Sequence, residues 1–479
     1  MENGVLLQGF HWELPADGRW WRAIAEHAAG IARAGFSAVW LPPATKGAAG
    51  PDDVGYAVYD LYDLGEYDQK GARRTKYGTV EELADAVRAL RGVGLQVYAD
   101  VVLNHRQGAD EVERLRARAV DPQDRTRVAE EVEEIEAWTR FTCPGRGDAH
   151  SAFVWDARCF SSVDCRADAP DRPCLYLLDG KRFAPDVSGE LGNFDHLLGC
   201  DVDFDVPEVR EELCRWGAWF AQRTGVDGFR LDALKHIPAS FYTDFLARLR
   251  ADGREWLAIG EYWSADLGAL TNYLAATGGA VKLFDVPLHF RLFEAGRDGT
   301  AFDLRTVFDG TLVQASGPAA VTFVDNHDTQ PGQSLESFVA DWFKPLAYAL
   351  ILLRRDGYPC VFWGDYAGHE DPARAMRPHR ALLETLLDVR RRYNHGDQHD
   401  CFDDPTSIAW VRTGDADHPG SMVVVLSTGE ATSKRLNACA PNARFRDALG
   451  HVDAIVETDA EGMAEFPAPA GSLAVWIQE

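Results

Sequence analysis

The chain is short of positive charge, of paired cysteines and of long apolar runs, and each shortage excludes something. Its 479 residues hold 49 basic against 75 acidic side chains, a formal charge of −26. A surface this acidic repels phosphate backbones and anionic headgroups, so nucleic acid and membranes are excluded as partners and a neutral or cationic one is favoured. No stretch reaches the unbroken apolar length of a membrane span. The first residues, Met1 to Glu13, have no basic n-region, no long apolar h-region and no small-residue cleavage site, so a cytoplasmic address is expected. The 9 cysteines are odd in number and scattered, without the CxxC pairs of a zinc ribbon. The loose group Cys143, Cys159, Cys165 and Cys174 is read as reduced thiols, with a structural metal or one local disulfide as the alternatives.

What is present is a large apolar fraction, 46%, arranged in recurring short runs. Val5–Phe10, Ser37–Pro42, Leu95–Leu103, Val226–Asp232, Trp256–Glu261, Val281–Val286, Ala320–Val324 and Cys360–Gly364 read as strands buried on both faces. Helical spacing of apolar residues marks Trp20–Ala34, Val80–Arg91, Val209–Arg223, Ala239–Arg250 and Leu335–Leu353, with glycine stops at Gly35, Gly92 and Gly225. Eight strands alternating with helices predict an α/β fold, a (β/α)8 TIM barrel. The gap between the third and fourth strands, roughly 120 residues, is far beyond an ordinary βα connection. It predicts an inserted subdomain, with a charged helical part (Asp110–Arg140) and an irregular part rich in Cys, Asp and aromatics (Thr142–Asp205). After Tyr393 the pattern alternates, and Ser407–Arg412, Met422–Ser427, Arg444–Asp447 and Leu473–Ile477 predict a C-terminal antiparallel β-sandwich. The expected domains are 1–104 and 207–394 for the barrel, 105–206 for the insertion and 395–479 for the sandwich.

Charged residues follow four of the strand runs directly: Asp100 to His105, Gly228 to His236, Gly260 to Trp263 and Phe323 to Asp328. Arg230 and Asp232 are two apart, so on a strand they share a face, and a guanidinium beside a carboxylate keeps it ionised, as a nucleophile needs. A structural ion pair is the plainer alternative. Glu261, flanked by Tyr262 and Trp263, is placed for desolvation to raise its pKa into the range of a general acid. Asp328 offers a third carboxylate beside His327. Two carboxylates flanking one bond are the equipment for glycoside hydrolysis. Trp12, Trp20, Trp21, Tyr56, Tyr59, Tyr62 and Trp263 could present apolar faces to pyranose rings, with those beside the strand-end motifs favoured over core residues.

Together these four motifs resemble the signature regions of the α-amylase family of glycoside hydrolases, specifically its bacterial liquefying and intracellular members. The segments Gly55 to Glu66, Arg74 to Thr79 and Asp201 to Asp205 are similar to the same subgroup. The resemblance implies an endo-acting enzyme that cuts α-1,4-glucosidic bonds of starch, glycogen or maltodextrins with retention. It assigns Asp232 as nucleophile, Glu261 as acid/base and Asp328 as the third carboxylate. Tyr56, His105, Arg230 and His327 would bind the cleaved sugar, Lys235 and His236 the leaving-group side, and Trp263 adjoins the acid. A transglycosylase or exo-α-glucosidase on the same scaffold is the alternative, and a non-catalytic sugar-binding relative a further one. The resemblance also implies one Ca2+ held by Asn104, Asp195, Asp201 and the backbone carbonyl of His236. Ser161 and Ala184 fall where relatives with more metals carry aspartates, although Asp164 and Asp186 lie nearby. The expected partner is an α-glucan, and the expected state a monomer.

Overall fold

Seven of the eight apolar runs contain a strand and the eighth, Cys360–Gly364, overlaps one in the computed structural model, which describes residues 3–164, 166–171, 174–251 and 253–479. They are β1 (Leu6–Gln8), β2 (Ala38–Leu41), β3 (Gln96–Val101), β4 (Gly228–Leu231), β5 (Leu257–Gly260), β6 (Lys282–Phe284), β7 (Ala320–Phe323) and β8 (Tyr358–Phe362). Their side chains are almost all buried, as expected of a parallel sheet covered on both faces. Each pairs with its neighbour in sequence, and β1 closes the barrel on β8 with Leu6 opposite Cys360. The TIM barrel is therefore as the spacing implied.

Helices cover the outside. Trp20–Ala34 buries Trp21, Ile24, Ala28 and Ile31, one stripe at helical spacing, and Val80–Gly92 starts on a capping box between Thr79 and Glu82. The stops at Gly35 and Gly225 are left-handed caps (φ 109° and 74°), whereas Gly92 lies inside its helix and Val93 caps it. The helix expected over Leu335–Leu353 is shorter, Lys344–Leu352. Pro345 suits the first turn of that helix, and the preceding segment is held instead by the loop after β7, through Val339 and Ser337.

The insertion departs most from expectation. Its charged part is a β-ribbon, Glu111–Val120 against Glu133–Arg140, not helix. Phe160–Val163, Leu175–Leu178 and Cys200–Val202 add to the same six-stranded sheet, so the part read as irregular also carries strands. Cys143 and Cys159 are buried free thiols, pushed up by burial to about 12 and about 11. Cys165 lies outside the described residues.

Beyond the barrel, Ser407–Arg412, Met422–Ser427 and Arg444–Asp447 form strands with the bounds expected, and Ser472–Gln478 extends the fourth by one residue at each end. Gln398–Asp404 and Ile455–Glu457 complete this antiparallel sheet, and a second sheet of Thr432–Asn437 and Met463–Ala468 packs over it through Phe445, Phe466 and Trp476. No helix among the described residues is long and apolar enough to cross a membrane.

Candidate active site

The four charged motifs meet at the carboxyl ends of β3, β4, β5 and β7, on one face of the barrel, where a TIM barrel places its chemistry. They line a cleft of about 750 Å³ that includes Trp12, Tyr56, His105, Asp232, Glu261 and Asp328. Lys235, His236 and Trp263 line it too. Of the other aromatic candidates, Trp21, Tyr59 and Tyr62 are core residues and Trp20 bonds the Gly9 carbonyl.

At the centre is Arg230, buried on β4 and opposite Asp100 of β3 in register. Its Nη1 donates to Asp100 Oδ1 (2.8 Å) and Asp232 Oδ1 (2.6 Å), and its Nη2 to Glu261 Oε2 (2.9 Å). One guanidinium thus serves three carboxylates from three strands. Mutual attraction holds the Arg230 pKa well above its ordinary value, while desolvation works against it.

That single cation does not offset the burial of the acids. Desolvation raises Glu261 to about 8, opposed by Arg230 and reinforced by Asp232 and Asp328. It raises Asp328 to about 7 and Asp100 to about 6 in the same way. Glu261 Oε2 also accepts the Ala233 N–H at 3.2 Å, and Leu234 N donates to the Glu261 carbonyl at 2.9 Å. These contacts need the chain after Asp232 to turn sharply, and Ala233 does so in the left-handed region (φ 55°, ψ 38°). Gly260 permits the approach, because a Cβ there would lie 2.0 Å from Leu234 Cδ1.

Across the cleft the Gln8 amide donates to His327 Nδ1 (3.0 Å), so the ring carries its hydrogen on Nε2, which faces Asp328 Oδ2 at 3.4 Å. Burial lowers the His327 pKa well below its ordinary value, so the ring is neutral. Tyr56, Trp12 and His327 form a set of near-parallel rings, with centroids 5.2 to 6.1 Å apart. Tyr56 OH donates to Asp100 Oδ2 (2.8 Å), and His105 Nε2 donates to the Tyr56 carbonyl (2.8 Å). Lys235 reaches Glu190 of the insertion at 2.9 Å, and His236 Nδ1 lies 2.6 Å from the Phe194 carbonyl.

Three contributors were not anticipated. Asp100 stood in a quoted motif, but its role depends on the β3–β4 register. Gln8 orients His327 from β1. Lys344, fully buried, pairs with Asp325 (3.1 Å) and Asp365 beneath the loop that carries Asp328. A lone Lys ahead of an apolar helix was the one available signal for the last of these.

Of the residues expected to hold a metal, Asn104, Asp195 and Asp201 lie together at the insertion. Asp195 and Asp201 are buried: desolvation lifts Asp195 to about 7, and desolvation together with the Asp195 charge lifts Asp201 well above the usual carboxylate range. Asn104 Nδ2 is 3.5 Å from Asp201 Oδ1, and Asn104 Oδ1 is buried with no hydrogen-bond partner. Two buried carboxylates and an orphaned amide oxygen suit a hard divalent cation. Ser161 Oγ donates to Asp201 Oδ2 (2.5 Å) and Ala184 N to Asp195 Oδ2 (2.9 Å), so both positions border this group while adding no charge. Asp164 accepts from Gly199 N and Asp186 is exposed.

No family model matches the chain. It is 44% identical over 483 residues to the glucan 1,4-alpha-maltohexaosidase of Bacillus sp. (strain 707), a match covering 100% of this chain and 93% of that one. It is also 44% identical over 494 residues to the cytoplasmic alpha-amylase of Escherichia coli (strain K12), covering 100% and 99%. Among solved structures, the alpha-amylase from Geobacillus thermoleovorans complexed with acarbose superposes with a TM-score of 0.69 at 18% identity, covering 100% and 98%, a likeness of fold. With the full length matched at this identity, the chain belongs to the α-amylase family of glycoside hydrolases.

Proposed function

We propose that the protein is an endo-acting α-amylase that hydrolyses internal α-1,4-glucosidic bonds of starch, glycogen or maltodextrins with retention. The observation that carries this reading is the Arg230 guanidinium shared by Asp232 and Glu261. It holds two carboxylates close together across one cleft, the arrangement of a retaining pair.

In this reading Asp232 attacks the anomeric carbon, with Arg230 fixing its orientation. Glu261, protonated below about pH 8, gives its proton to the leaving glucosidic oxygen. The resulting carboxylate then takes a proton from water, which releases the covalent glycosyl-enzyme ester. Asp328, with His327 Nε2–H beside it, binds hydroxyls of the distorted sugar. Tyr56 supplies an apolar face under the ring, while His105 and Trp263 line the same site, and Lys235 and His236 lie on the leaving-group side. Asn104, Asp195, Asp201 and the His236 carbonyl would hold one Ca2+, which when bound neutralises the buried acids and fastens the insertion to the barrel. The division into 1–104, 105–206, 207–394 and 395–479 follows these roles. The name of the Escherichia coli relative supports a cytoplasmic location.

The decisive experiment is product analysis on a maltooligosaccharide blocked at its non-reducing end. Cleavage to shorter oligosaccharides is expected. An untouched blocked substrate beside a hydrolysed free one would make the enzyme exo-acting, and products longer than the substrate would make it a transferase. Asp232→Asn should lower turnover on the order of 10³-fold or more. Full turnover in that variant would remove Asp232 from the mechanism.

A further inference from the structure

A second group of side chains, far from the cleft, has the donor chemistry of a metal site. His395 follows the last barrel helix (Arg380–Tyr393), while Asp415 and His418 sit in the loop joining Ser407–Arg412 to Met422–Ser427. The backbone clamps the two segments together. Gly414 N donates to the His395 carbonyl and Thr413 N to that of Asp397, both at 3.1 Å. The ligand atoms of His395, Asp415 and His418 all lie within 4.8 Å of one another. His395 and Asp415 also border a cavity of about 620 Å³ at the amino ends of the barrel strands, opposite the cleft.

The positions of the protons sharpen this. His395 Nε2 lies 3.0 Å from the Arg391 carbonyl and so carries the ring hydrogen, leaving a lone pair on Nδ1 in the neutral ring. That nitrogen faces Asp415 Oδ2 at 3.9 Å. His418 Nδ1 is 3.3 Å from Asp415 Oδ1, and the two imidazoles stack 3.6 Å apart at 5°. Asp415 Oδ1 is already anchored by the backbone N–H groups of Asp417 (3.0 Å) and His418 (2.7 Å). The Asn3 amide, 3.4 Å from the same Nδ1, is the neutral donor that a cation would displace from between the imidazole and the carboxylate.

We propose that His395, Asp415 and His418 bind one divalent transition-metal ion of the zinc class, which cross-links the barrel to the C-terminal domain. Zinc bonds of about 2.0–2.1 Å in tetrahedral geometry set neighbouring donors roughly 3.4 Å apart. His418 Nδ1 is 3.3 Å from Asp415 Oδ1 and His395 Nδ1 is 3.9 Å from Oδ2, so binding needs one of the two stacked imidazoles to turn until both in-plane lone pairs meet at one ion. Two imidazoles select zinc, nickel or copper over calcium, and the carbonyl behind His395 is the outer partner that fixes a ligating tautomer. A water would complete the shell.

The test is calorimetric titration of Zn2+ into the full-length protein, stripped with chelator and returned to calcium-containing buffer, with thermal unfolding measured in parallel. One zinc per chain with micromolar or tighter affinity is expected, together with a higher Tm at saturation. His418→Ala and Asp415→Asn should each weaken binding at least tenfold and melt with the zinc-free wild type. His399→Ala, an exposed histidine nearby, should bind as the wild type does. Co2+ in place of zinc should give visible d–d absorption that both site variants lose. Absence of stoichiometric zinc binding in the wild type, or equal affinity in both site variants, overturns the proposal.

Discussion

At the scale of single residues, the chemistry turns on how poorly one guanidinium offsets the acids around it. Glu261 is raised to about 8 because burial outweighs Arg230. A general acid must be protonated, so kcat/KM should fall as the pH rises through about 8, and a pH–rate profile on a soluble maltooligosaccharide measures the limb. Linkage has the same direction: a carboxyl whose folded pKa exceeds its unfolded value contributes stability at low pH and loses it as pH rises through 8. Glu261→Gln should abolish the alkaline limb and cost roughly 10²–10⁴-fold on starch. An aryl maltooside with an acidic phenol needs no proton on leaving and should lose far less. Equal losses on both substrates would remove the acid role. Asp232 and Glu261 were legible because each directly follows a strand, and Asp328 because it closes the charged motif after β7. Asp100 and Gln8 were not, since their importance depends on which strand lies beside which.

At the scale of elements, the barrel strands were readable from Val, Ile, Leu and Trp packed into runs, such as Ala38–Leu41 and Gln96–Val101. The ribbon Glu111–Val120 was not, because Glu, Leu, Arg and Ala are strong helix formers and tertiary pairing overrode them. Thr432–Asn437 was missed for a related reason, being polar and short of apolar alternation. The loop after β7 rests on a buried element contact that no local pattern shows. Lys344 faces Asp325 and Asp365, and Tyr348 OH donates to Asp365 at 2.6 Å. Lys344→Met would strand two carboxylates in the core, so stability should fall by about 3–5 kcal/mol in denaturant titration. kcat/KM should fall with it, since Asp325 anchors Val339 N and Thr329 around Asp328. An unchanged transition midpoint would contradict that account.

At the scale of the whole molecule, two buried acids of the insertion, Asp195 and Asp201, sit where Asp201 meets Asn104 at the end of β3. Removing divalent ions with a chelator should lower the Tm, speed proteolysis within 105–206, and reverse on adding Ca2+. Elemental analysis after exchange into metal-free buffer should return one tightly bound Ca2+ per chain, consistent with Ser161 and Ala184 adding no carboxylate there. Two or more would show that Asp164 or Asp186 contributes. Fold and domain order were legible because the spacing of strand runs is a chain-length property. The content of the insertion was not, because its sheet pairs residues as far apart as His105 and Asp201.

The closure of β1 on β8 also bears on how the chain is made. Leu6 finds one neighbour in Ala38, but the other, Cys360, is synthesised last among the barrel strands. At about 5–20 residues per second, translation leaves that edge of β1 unpaired for roughly 20 to 70 seconds. An exposed apolar strand edge is a template for any other strand, including one on a neighbouring nascent chain. Yield in a living cell should therefore respond to translation speed and to chaperone supply before residue 360 emerges, an interval in which the active site does not yet exist.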